Sequence, residues 1–326
     1  MPLTNFPNGV TSFGVPQFGP GGLVPVPGDV YWIHPGSTAS VDGNSGLSPE
    51  RARVTISSVQ SSMTANQNDT VILIGNSSAA ATNVVSESAA VAWSKNLTHI
   101  VGTGFTRVAH RSSIRASSTS MVETLTLSAD GVVMANFHIT NQSSGAVANQ
   151  CINYTGQRGA FYNLHIAAGF NQTGADRADL SDLLMNGSGE DYFENCTIGL
   201  DTVDRAGTGA NVRFTGDKNT ARVEYHKCRF TSRTDNSTFT PFVIPAASID
   251  RYLILDNCMI INPATLSGGT QLAEALDVSS TAGGIVLLKQ TFVADFLAVE
   301  TGNSGRVFVQ DLYGAGTTAL GVENTV

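Results

Sequence analysis

Charge is scarce in this 326-residue chain: Asp, Glu, Lys and Arg together make up 13%, about half the usual quarter of a globular domain. The 18 Lys and Arg against 26 Asp and Glu nowhere gather into a basic run. With a formal net charge of −8, the chain has no positive surface for phosphates, so no nucleic-acid partner is expected. Nor does any apolar stretch approach the ~18 residues of a membrane span, so no membrane partner is expected either. The opening Met1-Pro2-Leu3-Thr4-Asn5-Phe6 lacks the basic and apolar regions of a signal peptide, and the expectation is a chain made in the cytoplasm and not exported. In that compartment Cys151, Cys196, Cys228 and Cys258 are expected as reduced thiols.

Motif chemistry is equally sparse. There is no His-Glu-x-x-His and no Cys-x-x-Cys pair for zinc, and no Gly-x-Ser-x-Gly elbow for a nucleophile. Gly207-Thr208-Gly209 lacks the Lys-Ser/Thr that completes a phosphate loop. Asp42-Gly43-Asn44 is a turn signal without the downstream acid of a calcium loop. The expectation is therefore no metal and no cofactor. Trp32 and Trp93 both lie in the N-terminal part, where packing is their default role.

What the chain does have is Ser, Thr, Asn, 33 Gly and 41% hydrophobic residues, the composition of a β-rich fold with many turns and a sizeable core. It also has a repeat. Five segments align: Val133–Ile139, Ala160–Ile166, Tyr192–Ile198, Glu224–Phe230 and Ile254–Ile260. Two weaker copies follow, Val286–Phe292 and Val307–Tyr313. One apolar column runs Met134, Phe161, Phe193, Tyr225, Leu255, Leu287, Phe308; a second runs Phe137, Leu164, Cys196, Cys228, Cys258. The third runs Ile139, Ile166, Ile198, Phe230, Ile260, Phe292, Tyr313. The last two columns sit two residues apart, which is strand alternation with one face buried. The first and second sit three apart, so a bend interrupts the alternation at Asn136, Asn163, Asn195 and Asn257, a residue type that tolerates left-handed backbone.

A strand–bend–strand unit repeating near 30 residues, with few helical patterns, describes an all-β chain: a parallel β-helix over 69–326. Cys196, Cys228 and Cys258 then stack inside as an interior ladder of free thiols, with a disulfide between neighbours as the competing reading. Residues 1–28, with six Pro and scattered Phe, read as an extended arm whose Phe6, Phe13 and Phe18 are candidate partner-binding residues. Residues 29–68 hold an entry strand and a short helix. Ser48-Pro49-Glu50 reads as the helix start, and Ile56, Val59 and Met63 recur at helical spacing to close the solenoid's open end.

The run Tyr31-Trp32-Ile33-His34-Pro35-Gly36, then Asp42-Gly43-Asn44-Ser45-Gly46-Leu47-Ser48-Pro49, then Asp69-Thr70-Val71-Ile72-Leu73, resembles the entry to pectate-lyase-like β-helices of bacteriophage virion proteins. The opening Asn5-Phe6-Pro7-Asn8-Gly9-Val10-Thr11-Ser12-Phe13-Gly14 is similar to the starts of phage structural proteins. The resemblance implies a right-handed parallel β-helix, and a homotrimer on a phage particle. It leaves two roles. One is a head decoration (cement) protein on the outer capsid surface, bound to the major capsid protein and made in the host cytoplasm. The other is a tailspike that binds or cuts host surface polysaccharide. The Pro/Phe arm and the end at Val326 favour head decoration, hence no enzyme.

The most enzyme-like feature is Glu194, His226 and Asp256, one residue before the bend on three successive coils. Outward acids on coils ~4.8 Å apart easily meet the spacing of a glycosidase pair, so the geometry is unselective. An exposed charge ladder is the preferred reading, and no catalytic residue is expected. His138 and His165 read likewise as a surface ladder, and Asp176, Asp179 and Asp182 as a solvated loop.

Overall fold

The computed structural model describes residues 10–12, 15–17, 28–76, 83–104, 108–109, 111–144, 150–187, 189–215, 220–234, 236–263, 271–301, 304–310 and 322–323. Three sheets of eleven, eight and seven strands carry the fold. Sheet I contains Val133–Ala135, Ala160–Tyr162, Glu190–Glu194, Thr220–His226, Ile249–Asp256 and Gly283–Lys289, each paired in parallel with the next. After the bend the chain enters sheet II, with His138–Asn141, His165–Ala168, Thr197–Gly199, Arg229–Thr231 and Met259–Ile261. Sheet III, with Gln150–Tyr154, Ser181–Met185 and Ala210–Phe214 among its strands, completes the coil. The expected parallel β-helix is the architecture.

Local chemistry explains the bend. Asn136, Asn163, Asn195 and Asn257 take φ of 63°, 50°, 56° and 55°, the left-handed region that Asn occupies at least cost. Their side chains also stack: Asn163 Nδ2 donates to Asn136 Oδ1 at 3.0 Å, and Asn195 Nδ2 to Asn163 Oδ1 at 3.2 Å. Lys227 and Gln290 hold the same left-handed position in their coils.

Inside, like side chains lie over like. Met134, Phe161, Phe193, Tyr225 and Leu255 are buried in register. The Phe161 and Phe193 rings stack with centroids 4.4 Å apart, and Phe193 and Tyr225 at 4.6 Å, offset aromatic contacts that add to the burial. Cys196, Cys228 and Cys258 are buried and free. Each thiol donates to a carbonyl of the preceding coil, that of Phe161, Phe193 and Tyr225 respectively. The free-thiol reading therefore stands against the disulfide.

The alignment slips by one residue in the coil after Leu255. Leu288, not Leu287, pairs with Leu255 and is buried, and Val293, not Phe292, pairs with Ile260. Phe292 is 58% exposed, because a shift of one residue moves a side chain to the opposite face. Phe308 pairs with Leu287 and follows it outward, while Leu312 and Tyr313 lie outside the described residues.

At the N-terminal end the expected helix is divided. Pro49–Arg51 forms a single 3-10 turn, and helix α1 begins later, at Ile56–Ser62. Thr55 caps α1 through Ser58 N, and Glu87 accepts from the Ile56 and Ser57 amides, satisfying donors that a helix start leaves open. Buried Ile56 and Val59 set α1 against Val30–Ile33, Val85–Glu87 and Val91–Trp93, the first strands of sheets I, II and III. The helix thus closes this end of the solenoid. In the N-terminal arm Val10–Ser12 pairs antiparallel with Val15–Gln17; Phe6, Phe13 and Phe18 lie outside the described residues.

Candidate functional site

Alternation along the sheet I strands turns every second side chain outward. Register then places Tyr162, Glu194, His226, Asp256 and Lys289 in one outward column. Two residues earlier on each strand, Tyr192, Glu224 and Ile254 form a parallel column. The three residues singled out in the sequence are therefore neighbours, as their alignment requires.

Their bonding is more selective than a plain charge ladder. His226 Nε2 lies 2.9 Å from Glu224 Oε2, and its Nδ1 lies 3.5 Å from Asp256 Oδ2. Asp256 Oδ2 also accepts from Lys289 Nζ at 2.9 Å, and Glu224 Oε1 from the Tyr252 hydroxyl at 3.1 Å. A chain of contacts thus runs Tyr252, Glu224, His226, Asp256, Lys289 across three coils. A neutral imidazole carries one N–H and can donate to only one of its two carboxylates; the doubly protonated ring donates to both. Side-chain exposures of 32% for Glu224, 24% for His226 and 18% for Asp256 leave the group half-buried, so these are not freely solvated surface charges.

Glu194 belongs to a second set. It accepts from Tyr192 Oη at 3.2 Å and from Lys227 Nζ at 3.2 Å, and does not bond to His226. Burial, followed by the Glu194 carboxylate that accepts its O–H, pushes Tyr192 up to about 12. The Tyr192 ring stacks on His226 at 5.0 Å and lies 5.9 Å from that of Tyr162. A run of rings therefore leads into the carboxylate–imidazole group.

Glu224, Lys289 and the tyrosines were missed in the sequence. Glu224 lies two residues before His226 on one strand, a spacing that puts both on the same face. Lys289 was hidden by the slipped alignment: matching Leu288 to Leu255 brings it directly beside Asp256.

Two other expectations change. His138 and His165 do stack, with ring centroids 4.3 Å apart, but both are buried beneath the loops over sheet II and form no surface ladder. His165 Nδ1 accepts from Ala109 N at 3.0 Å, which leaves Nε2 to donate to Gly199 O at 3.0 Å; that pattern is the neutral ring. Asp182 is no loop carboxylate either. It is fully buried, 2.7 Å from the equally buried Arg205, and accepts from Ala168 N and Asn211 Nδ2. Chain positions 23 residues apart gave no sign of that pair.

No family model matches the chain, and no curated protein matches it. Solved structures do. The chain is similar to a pectin methylesterase mutant in complex with hexasaccharide IV, at 15% identity over 90% of each chain and a TM-score of 0.53. It is similar to pectin methylesterase in complex with hexasaccharide VII, at 15% identity over 90% of each chain and a TM-score of 0.50. Pectin methylesterase PemA from Erwinia chrysanthemi matches at 14% identity, again over 90% of each chain, with a TM-score of 0.50. At such identities the likeness is one of fold. It nevertheless corrects the expectation of a non-enzymatic chain, since these three structures of like fold are of pectin methylesterases, which are enzymes. The missing motifs belong to other folds, and their absence carries no weight against catalysis on a solenoid face.

Proposed function

We propose that the chain binds a polysaccharide along the outer face of sheet I and cleaves it by acid–base chemistry, with Glu224 and Asp256 as the paired carboxyl groups. The observation that carries this reading is the half-buried chain Tyr252–Glu224–His226–Asp256–Lys289. Because Glu224 and Asp256 reach nitrogens of one imidazole, their contacting oxygens lie within about 9 Å of each other, inside the window of glycosidase pairs. One carboxyl protonates the departing glycosidic oxygen while the other takes a proton from the attacking water. The bond to the leaving sugar breaks as the bond to water oxygen forms. His226 spaces the two groups and relays a proton between them. Tyr162 and Tyr192 offer ring faces on which sugar rings stack. The hexasaccharides held in two solved structures of like fold support a glycan as the ligand class.

A tailspike on a phage particle is the form of this reading that the virion resemblance suggests. Head decoration draws on arm residues outside the described part of the chain, and the described residues supply no observation for it.

The test is incubation with capsular polysaccharides and pectins, followed by assay of new reducing ends and of chain length. Glu224→Gln and Asp256→Asn should each slow cleavage by about 10²- to 10⁴-fold while leaving polysaccharide retention intact. Cleavage indifferent to both substitutions, or neither retention nor cleavage of any polysaccharide tried, would overturn the reading.

A further inference from the structure

Sheet II has a covered outer face of its own, distinct from the carboxylate column of sheet I. The outward positions of its strands include His165, Thr197 and Arg229, in register. Two insertions lie over them. The first, after His165–Ala168, carries Phe170 and the short helical turn Gln172–Ala175; the second follows Thr197–Gly199 and carries Leu200 and Asp201. The insertions are fastened to each other and to the body. Gln172 Nε2 donates to Asp204 O at 2.7 Å, Ala206 N donates to Asp176 Oδ1 at 2.9 Å, and Arg205 is buried against Asp182. Thr234 Oγ1 donates to the Arg205 carbonyl, and the Arg205 guanidinium lies over the Phe239 ring at 5.7 Å. A roof tied down at so many points is preformed, and it encloses space: a cavity of about 250 Å³ remains, bounded by Val108, His165, Phe170, Leu200, Asp201 and Arg229 among others.

Arg229 is the informative wall. Among the described residues its Nε, like those of Arg177, Arg213 and Arg233, is buried without a hydrogen-bond partner, and its side chain makes no ion pair with them; unlike those three, it lines the cavity. A buried N–H on a cation is costly to leave unmade, and a native structure seldom leaves one without a bound group to meet it. The remaining polar wall groups do not answer it. Both nitrogens of His165 are occupied, and Asp201 is exposed at the rim, where Thr231 Oγ1 reaches its Oδ2 at 3.5 Å. Around Arg229 stand the apolar side chains of Val108, Phe170 and Leu200, which suit a compact ring and not an inorganic ion.

We propose that this cavity binds a small ring-bearing carboxylate, its anion held by Arg229 and its ring by Phe170, Leu200 and Val108. The carboxylate answers the open guanidinium donors, and a single ring matches the volume. An aromatic acid and a uronic acid share this chemistry, and the two are separated by experiment.

Calorimetric titration of the full chain with benzoate and benzamide, and with glucuronate and glucose, tests the proposal. At least one carboxylate should bind with a Kd of about 1 mM or tighter, and roughly tenfold or more tighter than its uncharged counterpart. Preference for benzoate assigns an aromatic acid, and preference for glucuronate a sugar acid; either supports the site. Arg229→Met, which loses no side-chain bond to the described residues, should keep the thermal midpoint and weaken the carboxylate about 10- to 100-fold. Val108→Trp fills the cavity from its rim with Arg229 intact and should also abolish binding. Equal binding of charged and uncharged partners, no binding of either acid, or affinity unchanged in either variant overturns the proposal. None of these results bears on cleavage at sheet I, so the two readings stand or fall separately.

Discussion

The outward column of sheet I begins and ends as two different surfaces. Trp32, Ile72 and Val101 open it, in register with Ala135 and Tyr162, and Glu194, His226, Asp256 and Lys289 close it. At the N-terminal end Ile72 and Val101 are buried in a satellite cluster with Val30, Trp32 and Val133. At the other end the same geometric position holds half-exposed charges bonded in series. The inward column that runs from Tyr31 through Val71, Ile100, Met134, Phe161, Phe193, Tyr225 and Leu255 to Leu288 shows no such change, staying buried and apolar or aromatic. A solenoid interior is thus constrained along its whole length, whereas its outer face is free to vary coil by coil. Where that face carries tyrosines and paired carboxylates, it carries chemistry.

Three measurements break or sharpen this contrast. Ile72→Ala should destabilise the chain by about 2–4 kcal/mol in urea unfolding, because the side chain is buried although it points outward. A cost below about 1 kcal/mol would make both ends of the column plain surface. On the inner side of the strand that carries Tyr192 and Glu194, Asp191 is buried and accepts from Tyr154 Oη at 2.7 Å and Gly159 N at 2.9 Å. Burial outweighs those bonds and raises it to about 6. The folded chain therefore keeps a proton that the unfolded chain, near pH 3.9, releases. The stability Asp191 contributes is complete below about pH 3.9 and is lost as pH rises through 6. Asp191→Asn keeps the accepting oxygen and removes the charge, so it should match the parent near pH 4 and exceed it by about 3 kcal/mol at pH 8. A constant difference across that range would show that Asp191 does not titrate on unfolding. The smallest effect belongs to the charged end: Lys289→Met should change the thermal stability by less than about 1 kcal/mol, since the Lys289–Asp256 pair is half-exposed. A larger loss would mean that these charges hold the fold together.

Much of this was written in the order of residues. Left-handed bends at Asn136, Asn163, Asn195 and Asn257 are local preferences, and local preferences repeat whenever the residue does. Stacking of Cys196, Cys228 and Cys258 follows from their common position in the repeat, because each coil rests on the last. The same rule brings Glu194, His226 and Asp256 together on neighbouring coils. It failed where spacing changed: between Leu255 and Leu288 the coil takes one residue more than the alignment allowed, which turned Phe292 outward and hid Lys289.

Docking of the insertions could not be read in that way. The burial of His138 and His165, the Asp182–Arg205 pair and the cavity beside Arg229 arise where segments of irregular length fold back over sheet II. Periodic spacing specifies contacts between coils, since hydrogen-bonded strands keep a constant register. Loops have no register, and their contacts are settled by the shape of the surface on which they come to rest.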